Sequence, residues 1–67
     1  MAEPIDLQPL QKWIHDLNNR VGVILASSEL LQLEQLSSKA LTRSRTIEQK
    51  SLEVRDILRA VADHYLE

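Results

Sequence analysis

Apolar residues recur at alternating three- and four-residue steps along the first half of the chain: Leu7, Leu10, Ile14, Leu17, Val21 and Ile24, followed by Ser28 and Leu31. This is the a/d heptad of one long amphipathic helix, expected over about residues 7–33. Asp6 is its expected N-cap, because a carboxylate there accepts from first-turn amides. Pro9 is tolerated, since those amides have no acceptor within the helix. A second heptad runs through Ile47, Ser51, Val54, Leu58, Val61 and Tyr65, out of phase with the first. Extending the first register would place Gln35, Ser38, Thr42 and Arg45 on the seam, so a turn is expected at about 34–37 and a second helix over about 38–66. Ser37 is the expected N-cap of that helix, with Leu36 before it and Leu41 inside it as a hydrophobic staple. Arms of about 28 residues are roughly 42 Å long, and matched arms favour an antiparallel hairpin. The alternative is one uninterrupted helix, encouraged by the absence of Gly and Pro from Val23 onward.

Both arms carry more apolar residues than one seam uses. Leu25, Leu33, Leu41, Leu52, Ile57 and Ala62 lie off the strict a/d line, and a second hairpin would cover them. The expected fold is therefore all-α: one domain over residues 1–67, a helical hairpin that dimerises into a four-helix bundle, with Met1 to Ile5 as a frayed end. Composition strengthens the case for a homodimer. A chain of 67 residues with 3% aromatic content, Trp13 and Tyr65 alone, barely encloses a core. The absence of cysteine removes disulfides and thiolate metal sites, leaving self-association as the usual remedy. Net charge is −2 with both signs mixed along the chain, so neither nucleic acid nor an anionic membrane is an expected partner. No apolar run is long enough to span a bilayer and the first residues lack signal-peptide features, so a cytoplasmic location is expected.

Candidate chemistry is concentrated between His15 and Leu31, in the run HDLNNRVGVILASSELL. His15, Asn19 and Gly22 fall at i, i+4 and i+7 on one polar stripe, away from the face of Ile14, Leu17, Val21 and Ile24. The imidazole should point outward. His15, Asp16, Asn18 and Asn19, then Gly22, Ile24, Glu29, Leu30 and Leu31, resemble the H-box of the dimerisation and histidine-phosphotransfer domain of two-component sensor histidine kinases. The resemblance covers the first helix, while the second agrees only in length and amphipathicity. It implies that His15 is the phosphoacceptor, that Asp16 is the adjacent acid that activates it, and that Asn19 takes the place used to position water during receiver dephosphorylation.

The residue chemistry suits those roles. An unperturbed imidazole titrates at about 6.5, so an exposed one is largely neutral and nucleophilic near pH 7. A neighbouring carboxylate can accept the proton of one ring nitrogen and leave the other to attack. An amide one turn onward can hold a water or a phosphoryl oxygen without repelling the incoming anion. Gly22 costs about 1 kcal/mol inside a helix, which suggests clearance for an approaching partner. Val23 and Leu30 lie beside that stripe as the apolar part of a docking surface for a receiver or kinase.

Each feature also has a plain alternative: a solvated surface histidine, a glycine that permits close helix packing, and Val23 and Leu30 covered by the dimer. Lys39, Arg43 and Arg45 read as a solvated face that could also meet the acidic rim of a receiver, and His64 as a last-turn residue favoured by the helix dipole. No third ligand stands at a usable spacing from His15 and His64, so no metal site and no cofactor are expected; Mg2+ would belong to the partner.

Two departures from the H-box pattern matter. Arg20 stands where many such motifs carry proline, which predicts a straighter helix. The sole glycine is Gly22 and no residues remain for a nucleotide-binding layer, so no autonomous kinase activity is expected. The leading expectation is a dimeric phosphotransfer module, His15 exchanging a phosphoryl group with a separate histidine kinase or a response-regulator receiver domain. The alternative is a non-catalytic mimic of a kinase dimerisation domain that binds and regulates a kinase or receiver; a plain structural coiled coil ranks last.

Overall fold

The computed structural model describes residues 6–66, and the expected fraying of Met1 to Ile5 lies outside them. Two helices make up the fold, α1 over Gln8–Leu31 and α2 over Ser38–Tyr65, packed against each other. The chain turns back on itself, which excludes the uninterrupted helix. Ser37 caps α2 as expected, its Oγ accepting the Ala40 amide at 3.1 Å from extended backbone. At the start of α1 the N-cap is Leu7 rather than Asp6, although Asp6 Oδ1 still accepts the Gln8 amide at 3.0 Å. α1 also stops two residues short of the expected 33. The Leu33 and Glu34 amides donate to the Leu30 and Leu31 carbonyls, both at 3.1 Å, the i to i−3 tightening with which helices commonly end.

The two arms are held in register by a reciprocal pair of serines near the turn. Ser28 Oγ donates to the Ser44 carbonyl at 2.6 Å and Ser44 Oγ donates to the Ser28 carbonyl at 3.0 Å, with both side chains buried. Side chains this small let the helix backbones approach closely. Gln32, one turn nearer the loop than Ser28, reaches diagonally across the seam and donates its Nε2 to Glu48 Oε2 at 2.7 Å. Stepping outward by heptads from the serine level along antiparallel arms sets Val21 opposite Ser51 and Ile14 opposite Leu58, and all four are buried. The apolar part of the core thus lies toward the chain termini, where Leu10, Val61, Ala62 and Leu66 pack around Ile14, Val21 and Leu58.

The seam differs from the expected a/d line. Only one of the two heptad positions on each arm turns fully to the other arm: Ile14, Val21 and Ser28 on α1, with Ser44, Ser51 and Leu58 on α2. The other line, Leu17, Ile24 and Leu31 with Ile47 and Val54, remains 40% to 49% exposed along one side of the hairpin. A further correction concerns the six off-line residues. Leu25, Leu41, Leu52 and Ala62 are already half-buried within the hairpin, whereas Leu33 at 83% and Ile57 at 61% are exposed. The physical reason is that two helices share a single line of contact, so a stripe two positions wide is half covered and half left open.

Replacing Ser44 tests the close approach. Ser44 is 1% exposed, so Ser44→Leu must displace the opposing backbone and should cost about 1–3 kcal/mol by urea unfolding at fixed protein concentration. The paired change Ser28→Ala with Ser44→Ala should cost less than the sum of the two single changes, because no hydroxyl then lacks its partner.

Candidate functional site

His15 lies on the exposed side of α1, about midway between its first residue and Gly22. One turn on, Asn19 Nδ2 stands 3.4 Å from His15 Nε2, the pairing that the i, i+4 spacing anticipates. The Asn19 amide can donate to the Nε2 lone pair when the ring carries its proton on Nδ1. Nε2 is thus the ring nitrogen on the Asn19 side. The Nδ1-protonated tautomer is the one a nucleophilic Nε2 needs.

Asp16 is arranged differently. Its Oδ2 lies 3.5 Å from Lys12 Nζ, and its main-chain carbonyl accepts from Arg20 Nη1 at 3.1 Å. Successive residues on a helix diverge by about 100°, so the carboxylate next in sequence to a histidine does not face the ring by default. The structure brings His15 and Asn19 together and leaves the Asp16 carboxylate with Lys12. Lys12 was not singled out by its residue type. The available signal was spacing, since it stands at i−3 from His15 and i−4 from Asp16 and so borders both.

Gly22 is exposed two turns beyond His15, and a Cβ built on it would meet no atom within 4 Å. It therefore does not serve to bring the two helices closer. Val23 at 66% and Leu30 at 65% exposure stand uncovered by their own hairpin. A shallow, mainly apolar depression lined by Asn19, Arg20, Val23 and Ile24 connects the polar stripe to this apolar ground. His64 is exposed in the last turn of α2, its ring edge-on to Tyr65 with centroids 4.5 Å apart. The serine register sets it level with Gln8, about two turns from His15. Among the described residues there is no cluster of three or more His, Asp or Glu side chains able to hold a metal ion, and no helix is long and apolar enough to cross a membrane.

Comparison with protein-family models, with curated proteins and with solved structures finds no match to this chain. The functional reading therefore rests on the residues and their geometry.

Because nothing crowds Gly22, Gly22→Ala should stabilise the hairpin by about 0.5–1 kcal/mol through helix propensity alone, read as a raised melting temperature. A lowered melting temperature would show that its backbone is needed for packing.

Proposed function

We propose that this chain is a histidine phosphotransfer module that works as a homodimeric four-helix bundle, His15 accepting a phosphoryl group from a kinase or a receiver aspartyl-phosphate and passing it on. What supports the reading most is one spatial relation. His15 and Ile24 are nine residues apart, two and a half helical turns, so the imidazole stands on the opposite side of α1 from the open apolar line. A second hairpin can cover Leu17, Ile24, Leu31, Ile47 and Val54 and leave both imidazoles outward. With few buried apolar residues in one hairpin, that pairing supplies the core the single chain lacks.

In the proposed reaction the Nε2 lone pair forms a bond to phosphorus as the bond to the donor oxygen breaks. The electron pair leaves with the donor, a nucleoside diphosphate or a receiver carboxylate, and the Nδ1 proton is lost to solvent or to a carboxylate. Asn19 swings from Nε2 to hold a phosphoryl oxygen or a water. Asp16, next in sequence to His15, is the carboxylate offered to the Nδ1 proton, and it must leave Lys12 to take it. Gly22, Val23 and Leu30 form the ground on which a receiver or kinase docks, and Mg2+ comes with that partner. This reading needs no ATP site in the chain itself.

The deciding experiment mixes the protein with phosphorylated receivers and candidate kinases and follows an acid-labile, base-stable label. The label should appear on the wild type and vanish in His15→Gln with folding retained. Tight binding without any label would replace this reading by that of a non-catalytic mimic, and unchanged behaviour of His15→Ala in every assay would leave a structural coiled coil. Separately, the pair Ile24→Lys and Ile47→Lys should convert a species of twice the 7.7 kDa chain mass into a monomer in light scattering. A wild type that stays at one chain mass at high concentration would refute the bundle.

A further inference from the structure

We propose that Lys12 is a positioning residue of the His15 site: its ammonium is held by Asp16 while the imidazole is free and turns to the phosphoryl group when Nε2 carries one. This rests on the phosphotransfer reading of His15 and adds to it a residue that the sequence pattern left unused. Lys12 is at i−3 from His15 and i−4 from Asp16, so its stem rises between the two side chains. Its present contact is weak: the ammonium lies 3.5 Å from Asp16 Oδ2, with side chains 75% and 40% exposed. Ion pairs this open contribute little, so exchanging one anion for another is cheap. A phosphoryl group on Nε2 would bring three acceptor oxygens and more negative charge than a carboxylate, a stronger anion for a lysine one turn back along the same face.

The other cation of α1 is not free in this way. Arg20 already donates to the Asp16 carbonyl, and it lies five residues from His15, more than a third of a turn around the helix. The exchange also has a consequence for Asp16. Once Lys12 leaves, the Asp16 carboxylate loses its cation and is free to turn toward the neighbouring ring and take the Nδ1 proton, so one side chain would couple capture of the anion to release of the base.

A small phosphodonor tests this without any protein partner. Phosphoramidate transfers its phosphoryl group to a neutral imidazole nitrogen: the nitrogen–phosphorus bond to ammonia breaks, ammonia leaves with the electron pair, and the ring loses its other proton. His64 is an internal reference, being exposed with Ala60 and Val61 at i−4 and i−3 in place of a cation. The measured quantity is the ratio of phosphorylation rates at His15 and His64, followed by NMR. Lys12→Met should lower that ratio about two- to five-fold at low ionic strength, Lys12→Arg should largely restore it, and the difference should shrink at about 1 M salt. In the wild type, phosphorylation of His15 should also shift the Asp16 carboxyl signal as its ion pair is lost. An unchanged ratio in Lys12→Met, or an equal loss at both histidines, would overturn the assignment, as would a loss that follows Arg59→Gln on the facing helix instead. Since no receiver or kinase takes part, failure here is separate from failure of His15 to serve as a biological phosphoacceptor.

Discussion

The reciprocal hydrogen bonds between Ser28 and Ser44 are the constraint on which the rest of the hairpin depends. An apolar seam of similar side chains can slide by a heptad at little cost, because dispersion contacts have no direction. Hydroxyls that must each find a carbonyl on the other arm cannot. The Gln32 to Glu48 bond adds a second polar tie between the arms, reached diagonally across the seam by two long side chains. From that register follow the buried pairs Val21 with Ser51 and Ile14 with Leu58. It also sets the rotation of each arm, and with it which residues remain outside.

That rotation divides α1 into surfaces with different capabilities. The line facing α2 is closed, the line through Leu17, Ile24 and Leu31 is apolar and open, and the stripe of His15, Asn19 and Gly22 is polar and open. The open apolar line is continuous with Ile47 and Val54 on α2, across a groove that also takes in Val21 and Ser51. A histidine half a helical turn away from such a line stays accessible however that line is covered. Displayed in this way, an imidazole can act only on what is brought to it. Among the described residues His15 is exposed, so the electrostatic part of any phosphoryl transfer would be divided between the docking protein and the few polar side chains one turn from the ring.

Much of this could be read along the chain. The two heptads, the loss of phase between them and the Ser37 cap are local properties, each expressed within a few residues; both helices and the Ser37 cap appear as those signals imply, with α1 ending two residues early. The proximity of His15 to Asn19 is equally local, since an i, i+4 pair is brought together by any α-helix. The partner of Asp16 was less legible. Adjacency in sequence suggested the histidine, but helical geometry favours the residue one turn back, and Lys12 takes the carboxylate.

The sequence by itself determined that there are two amphipathic arms, where they break, and that one exposed histidine lies beside an amide, because periodicity and spacing fix what a single helix does. Only the tertiary structure decided which half of each apolar stripe meets the other arm, that serines rather than leucines occupy the tightest level, and that Gly22 stands in open space. Those are properties of a pair of helices. They depend on the rotation and separation at which two surfaces fit, and one strand of sequence carries that information only through the partner it has not yet met.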